Sequence, residues 1–179
     1  YYDKVITDIK NHQKCKNFLI KLGATNGLNY MLYGPPGTGK SSFVRVISTE
    51  LQLPIYIAKL TMAANEVQIT NMLTPINNNN EPFKIVLLED LDRYLDNPNN
   101  KNAMSSLLNA LDGVSSAIGV LRFFSANNPI VINSNLALTS RMNRLMLFDN
   151  PNQNIIKNQI LRITNSSNND LIQQFTEKL

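Results

Sequence analysis

A glycine-rich segment, residues 34–41 (GPPGTGKS), has the residue types and spacing that bind a triphosphate. It fits the pattern G-x-x-x-x-G-K-[ST], in which glycines let backbone N–H groups close around phosphate oxygens. The helix that follows such a loop aims its positive end at the phosphates. We therefore predict that ATP and Mg²⁺ bind here. The predicted contact residues are Gly34, Pro35, Pro36, Gly37, Thr38, Gly39, Lys40, Ser41 and Ser42.

Two residues at the exit of this segment have more specific chemistry. Lys40 is long enough to reach the β- and γ-phosphates, and the Ser41 hydroxyl is a suitable ligand for Mg²⁺. A loop that is rich in Gly and Pro by chance is the alternative explanation. The predicted strand before the segment and the predicted helix after it favour the phosphate-binding interpretation.

A pair of acids, Glu89 and Asp90, follows an apolar run at residues 85–88. A buried strand that ends in acids would place carboxylates at the carboxyl edge of a sheet, where such folds bind ligands. One acid can bind the hydration shell of Mg²⁺, and the other can orient or deprotonate the attacking water. Asp92 is a third acid, and it could also cap the following segment or pair with Arg93.

Two further motifs admit two interpretations each. Asn127 follows a predicted strand and could hold water near the γ-phosphate, although Asn-Asn-Pro is also a typical turn sequence. Arg141 and Arg144 are three residues apart, on one side of a helical turn. An arginine donated across a subunit boundary would stabilise the transferring phosphoryl group. From the residues alone, surface salt bridges are the favoured explanation for this pair.

Apolar spacing predicts the elements that must position these side chains. Strands alternate with helices, which indicates a parallel sheet flanked by helices. From residue 151 onward the pattern is helical only, and the Asn-rich tracts at 77–80 and 97–102 indicate solvated loops. The predicted helices cover 5–22, 43–51, 65–73 and 104–111, and the predicted strands cover 28–33, 55–58, 85–88, 121–125 and 145–148.

The composition restricts the possible classes of protein. With 43% hydrophobic and 17% charged residues, the sequence is typical of a globular domain. A net charge of +4, carried by scattered Lys and Arg, makes nucleic acid an unlikely partner. A single cysteine, Cys15, excludes an intrachain disulfide and indicates a reducing compartment. The chain begins with Tyr1 and has no apolar run near 20 residues, so we expect a fragment that meets a membrane only through segments outside it.

The four motifs, in this order, resemble the AAA family of ring-forming ATPases over residues 5–150. The resemblance is carried by residues 33–43, 87–92 and 106–114, and it is greatest to the group of mitochondrial inner-membrane chaperones that export the Rieske iron-sulfur protein. It implies an α/β P-loop NTPase fold, a three-layer sandwich with a five-stranded parallel sheet over residues 1–150. It also implies that residues 151–179 begin a small helical lid, and that roughly six or seven copies form a homo-oligomeric ring.

The resemblance also implies roles for the candidate site residues. Glu89 takes the position of the magnesium-side acid and Asp90 that of the water-activating acid. Asn127 matches the sensor residue of the family. Arg141 and Arg144 match the arginines that face a neighbour's nucleotide. The implied activity is Mg-dependent ATP hydrolysis that remodels or translocates a protein substrate, on the cytoplasmic or matrix side of a membrane.

Several positions depart from the family pattern. The acid pair reads Glu-Asp where most members read Asp-Glu, an inversion shared with the Rieske exporter group, and Asp90 is one methylene shorter than the usual Glu. Met142 and Asn143 replace the Pro-Gly often found between the two arginines. Residues 59–66 contain no aromatic-hydrophobic-Gly pore loop, and Met62 is the candidate that they offer for one. Arg162 is the only arginine after residue 151.

Two other functions are compatible with the same motifs. A nucleic-acid-linked ATPase, such as a loader or helicase, would show ATPase stimulation by DNA or RNA that weakens steeply with salt. A non-hydrolysing module would use ATP only to control assembly, and the inverted acid pair is the feature that favours it. Protein remodelling driven by hydrolysis is the leading hypothesis.

Overall fold

The computed structural model describes residues 1–22, 27–60, 66–73, 83–96, 102–112, 119–128 and 136–164. The chain divides into two compact units, Tyr1–Phe148 and Asp149–Leu179. The first unit contains the sheet and every motif identified above. The second contains one described helix, and its assignment to a lid stays a prediction. None of the helices in the described ranges combines the length and hydropathy that a membrane span requires.

Five strands and seven helices are described, in an alternating order that matches the predicted pattern. The strands form one sheet of order β2-β3-β4-β1-β5, and every adjacent pair is parallel. The elements are α1 Tyr2–Lys21, β1 Leu28–Tyr33, α2 Lys40–Leu51, β2 Ile55–Lys59, α3 Glu66–Leu73, β3 Lys84–Glu89, α4 Leu91–Leu95, α5 Ala103–Asp112, β4 Val120–Ala126, α6 Leu136–Thr139, β5 Arg144–Leu147 and α7 Gln153–Thr164.

Helices cover both faces of the sheet, which gives three layers. One apolar cluster joins Tyr30 and Leu32 of β1 to α1 and α2, and the other joins Met31 of β1 to α3, α4, α5 and α6. Successive residues of a strand point to opposite faces, so a strand covered on both sides must be apolar throughout. The continuous apolar run of β3 has this cause. The predicted α/β sandwich with a five-stranded parallel sheet is confirmed.

The differences from the predicted elements lie mostly at their ends. Helix α1 begins at Tyr2, three residues earlier than predicted, and β5 runs from Arg144 to Leu147 rather than from 145 to 148. Helices α4 and α6 were not predicted, because five and four residues are too few to show a helical period. The predicted Asn-rich loops lie outside the described residues, except for Asn102.

The exit of β1 is fixed by a close approach of backbones at Gly34. Its N–H donates to the carbonyl oxygen of Ala126 on β4, at 3.2 Å. On its other side, an added Cβ would lie 2.1 Å from the carbonyl oxygen of Phe148. The φ angle of Gly34 is also +135°, which L side chains rarely adopt. Only glycine therefore fits at this crossing.

We expect the substitution Gly34→Ala to destabilise the first unit severely, by more than about 4 kcal/mol, because a methyl group cannot fit against a backbone carbonyl. The matched control is Gly37→Ala. Gly37 also has a positive φ, +80°, but has open space where its Cβ would lie, so we expect a loss of about 1–2 kcal/mol. Denaturant unfolding measures both values, and equal losses would contradict the assigned contact.

Candidate active site

The glycine segment forms a tight turn between β1 and α2. Gly37 and Gly39 have φ angles of +80° and +93°, and Gly39 immediately precedes α2. The first helical hydrogen bond runs from the N–H of Phe43 to the carbonyl oxygen of Gly39, at 2.9 Å. The preceding N–H groups of a helix lack helical partners, so this end of α2 offers donors for an anion.

Lys40 is folded back onto its own turn. Its Nζ donates to the carbonyl oxygens of Gly34 and Pro35, each at 2.7 Å, and the residue is only 8% exposed. Burial lowers the pKa of the Lys40 ammonium, and the negative charge of Asp92 partly offsets this effect. An ammonium group has three N–H donors, so these two bonds leave one. The turn is braced further by Thr38, whose hydroxyl donates to the Pro35 carbonyl oxygen at 2.8 Å.

The two predicted magnesium ligands lie side by side. The Ser41 hydroxyl, at the start of α2, donates to Oε1 of Glu89 at the end of β3, and the distance is 2.7 Å. A hydroxyl oxygen next to a carboxylate is a donor set suited to Mg²⁺, which binds few protein oxygens and takes the rest from phosphates and water. The residues present therefore fit the metal that the motifs imply.

Asp90 occupies the bend between β3 and α4. It adopts a left-handed backbone conformation with φ +61°, uncommon outside glycine but enriched for Asp. Two basic side chains lie near the distance limit of an ion pair with the Asp90 carboxylate. Nζ of Lys59 is 4.0 Å from Oδ2 of Asp90, and Nε of Arg93 is 3.9 Å from Oδ1 of Asp90. Both basic side chains are more than half exposed, so these contacts hold Asp90 only weakly.

The third acid, Asp92, does not have either of its predicted alternative roles. The residue that precedes α4 is Asp90, whereas Asp92 lies inside the first turn, and Arg93 lies beside Asp90. Oδ2 of Asp92 instead accepts the backbone N–H groups of Asn127 and Asn128, each at 3.1 Å. The motifs gave no indication of these two contacts, because they join residues 35 and 36 positions apart.

A cleft of about 350 Å³ joins the glycine segment to the acids. Nine predicted site residues contribute to its wall, as do two that were not predicted, Lys59 and Ser125. Both of these lie at the carboxyl ends of parallel strands, which is the signal that could have identified them. The predicted residues in the wall are Pro36, Gly37, Gly39, Lys40, Ser41, Ser42, Glu89, Asp90 and Asn127.

Three predicted contact residues, Gly34, Pro35 and Thr38, do not contribute to the wall of the cleft. They form the part of the turn that holds Lys40, because the Nζ contacts are to the carbonyl groups of Gly34 and Pro35. Asn127, for which a turn and a site residue were equally plausible, contributes to the cleft and is also anchored by its backbone.

Arg141 and Arg144 lie away from the cleft and are bound to acids of their own chain. Two of the three nitrogens of each guanidinium, Nε and Nη2, contact the two oxygens of one carboxylate. Nε of Arg141 donates to Oδ1 of Asp112 at 2.7 Å, and a second contact joins Nη2 to Oδ2. Arg144 donates to Asp8 of α1, with Nε–Oδ2 2.5 Å and Nη2–Oδ1 2.8 Å. Hydrogen bonds from Arg141 lower the pKa of the Asp112 carboxyl.

The arginine segment is fixed at the start of β1 and β5. Asn29 donates its backbone N–H to Oδ1 of Asn143 at 2.7 Å, and its side-chain amide to the carbonyl oxygen of Arg141 at 3.1 Å. Oδ1 of Asn29 accepts Nη1 of the buried Arg122 at 3.3 Å, and burial lowers the pKa of this guanidinium to about 10. The two arginines thus lie near the amino ends of the parallel strands. The cleft lies at the carboxyl ends of the strands, on the opposite side of the sheet's length.

Comparisons with known proteins identify a family and several relatives of this chain. The family described as "ATPase family associated with various cellular activities (AAA)" matches residues 30–150. "Probable mitochondrial chaperone BCS1-A" from Dictyostelium discoideum is 32% identical over 98% of this chain and 44% of its own length. An AAA-ATPase from Arabidopsis thaliana is 32% identical over 72% of this chain and 36% of its own length.

Another Arabidopsis thaliana relative, named a mitochondrial AAA-ATPase, is 28% identical over 78% of this chain and 34% of its own length. The chain therefore spans less than half the length of these curated relatives. Their similarity confirms the resemblance that the four motifs carry. The chain belongs to the AAA family of ATPases.

Proposed function

We propose that this domain binds Mg·ATP in the cleft and hydrolyses it, and that the cycle drives the remodelling or translocation of a protein by an oligomeric ring. The observation that carries the proposal is the convergence of Lys40, the Ser41–Glu89 pair, Asp90 and Asn127 on one cleft. These side chains come from α2, β3 and the residues that follow β3 and β4. A phosphate-binding cation, a donor set for Mg²⁺, a proton acceptor and an amide that can orient water are represented among them, whereas an arginine is not.

The phosphates would be bound by backbone N–H groups at the start of α2 and by the Lys40 ammonium. The two carbonyl groups that now accept from Lys40 hold its side chain close to the turn, so little conformational entropy remains to be lost on binding. Ser41 and Glu89 would hold Mg²⁺, which when bound neutralises charge on the phosphate oxygens.

The proposed hydrolysis step uses the Asp90 carboxylate and the Asn127 amide. The Asn127 amide orients a water molecule, whose oxygen forms a bond to the γ-phosphorus while the bond from that phosphorus to the bridging oxygen breaks. Asp90 accepts the proton of the water, and ADP and phosphate are the products. Since Lys59 and Arg93 hold Asp90 only weakly, its carboxylate is available for this role.

A second chain is proposed to complete the site. Charge on the transferring phosphoryl group is usually stabilised by an arginine, yet Arg141 and Arg144 lie at the opposite edge of the sheet. In a ring of roughly six or seven copies, that edge of one subunit would face the cleft of the next. The similarity to a relative named a chaperone supports a protein as the substrate of the ring.

For Lys40→Ala, we expect ATP to bind roughly 10- to 100-fold more weakly, because a charged hydrogen-bond donor to the phosphates is lost. Titration of a fluorescent ATP analogue measures the dissociation constant. Lys10→Ala removes the same charge from an exposed position on α1 and is the matched control. Unchanged affinity in a folded Lys40→Ala protein would contradict the assignment of the loop.

For Asp90→Asn, we expect ATP affinity to be retained and phosphate release to slow roughly 10²- to 10⁴-fold, because the amide cannot accept the proton of the water. The exposed Asp96, at the end of α4, supplies the matched control Asp96→Asn. Hydrolysis at the wild-type rate by Asp90→Asn would show that the assigned role is wrong. ATP-dependent assembly by the wild type without phosphate release would instead identify the non-hydrolysing module.

Mixing two inactive variants tests the contribution of a neighbour. Arg141→Ala retains its own Asp90, and Asp90→Asn retains the arginine that it offers to the next subunit. If Arg141 acts across the boundary, an equimolar mixture should recover roughly a quarter of the wild-type rate, since half the subunits are competent and half of those have a competent neighbour. The same mixture with Arg144→Ala identifies which arginine acts. No recovery with either variant would mean that neither arginine acts in this way.

A further inference from the structure

Asp92 is a buried acid for which the proposed hydrolysis has no role. It is 6% exposed and lies in the first turn of α4. Only Leu91, which is fully buried, separates it from Asp90. Burying a carboxylate is costly unless it is hydrogen-bonded or paired, so its contacts should show what it does.

The contacts of Asp92 are directed at the end of β4. Oδ2 accepts the N–H groups of two consecutive residues, Asn127 and Asn128, each at 3.1 Å. Such charge-assisted bonds are stronger than those between neutral groups. Because these two N–H groups lie on either side of the Asn127 Cα, the bonds fix the direction in which the Asn127 side chain leaves the backbone.

The pairing of β3 with β4 aligns these two strand ends but stops short of Asp90 and Asn127. The last residues paired between β3 and β4 are Leu88 and Phe124. Beyond that pair, the element that lies between Asp90 and Asn127 is α4. Its side chains Leu91 and Tyr94 are buried in the core and hold this helix in place. The Asp92 carboxylate is the link from this short helix to the end of β4.

We propose that Asp92 is a positioning residue for hydrolysis, which sets the place of the Asn127 amide relative to the Asp90 carboxylate without touching the nucleotide. The inference rests on the proposed ATPase function. Under this inference, Asp92 influences kcat through the position of one acceptor oxygen. Its second oxygen, Oδ1, is buried and has no hydrogen-bond partner among the described residues, so Oδ2 carries the link.

The first test compares three substitutions in steady-state ATPase assays and nucleotide titrations of the whole chain. Asp92→Ala should lower kcat roughly 10- to 100-fold while the dissociation constant for ATP stays near the wild-type value, since small displacements of catalytic groups are costly. Asp92→Asn keeps an acceptor in place and should retain most of kcat. Asp92→Glu keeps the charge but moves the acceptor by one methylene, and it should be slow. Asp96→Ala, at the exposed residue that directly follows α4, is the control and should not change kcat.

The order of the two conservative variants decides the inference even if Asp92→Ala fails to fold. A fast Asp92→Asn with a slow Asp92→Glu supports positioning. A slow Asp92→Asn with a fast Asp92→Glu would show that the charge of Asp92 determines kcat, and it would overturn the inference. Wild-type rates for both variants would also overturn it. If the wild type itself releases no phosphate, the proposed function fails, and that outcome is distinct from a failure of Asp92 alone.

A double-mutant cycle tests whether Asp92 acts through Asn127. If it does, the slow variant Asp92→Glu should have little further effect on kcat in an Asn127→Ala background, because the side chain that Asp92 positions is gone. Losses that multiply independently would show that Asp92 does not act through Asn127. Thermal unfolding of each variant verifies that the compared proteins are folded.

Discussion

The parallel hydrogen-bonded ladder through β3, β4 and β1 is the constraint on which the site depends. It aligns Leu88 with Phe124, and Tyr33 with Ala126. The acids, the Asn127 segment and the glycine turn each follow one of these positions directly, so the ladder brings them to one edge of the sheet. The N–H of Gly34 extends the ladder by one more bond, to Ala126. A shift of register by one residue would place the same side chains on the wrong faces of the strands.

Two polar groups of the cleft, on Lys40 and Ser41, have hydrogen-bond partners within the protein. Lys40 donates to two carbonyl groups of its own turn, and Ser41 donates to Glu89. Buried polar groups without partners would be costly, so these bonds stabilise the site before any phosphate arrives. Asp90 differs from them, because its cations lie at about the limit of an ion pair. The binding groups are thus held firmly, whereas the proposed proton acceptor is held weakly.

The proposed site residues lie at both ends of the parallel strands. The carboxyl edge holds the cleft, and the amino edge holds the bidentate pairs Arg141–Asp112 and Arg144–Asp8. Each of these arginines is already bound to a carboxylate. To act at a neighbour's nucleotide, an arginine would have to leave its carboxylate and bind a phosphate group instead. The Arg141–Asp112 pair is the more exposed of the two, and because exposed ion pairs contribute little to stability, its exchange should cost less than that of Arg144–Asp8.

Local sequence was sufficient for the layered fold and for most of the cleft. The apolar periods predicted the strands and the longer helices, and the glycine turn was identifiable because few other sequences can wrap a phosphate. Helices α4 and α6 were missed because one turn of helix has no period, and Lys59 and Ser125 were missed because no local motif marks them. The sequence by itself thus determined the elements, the turn and the chemical types of the site residues, since these follow from neighbours along the chain. Only the tertiary structure decided that Asp92 holds the Asn127 segment and that the arginines lie at the far edge, because those contacts join residues that packing, rather than sequence, makes neighbours.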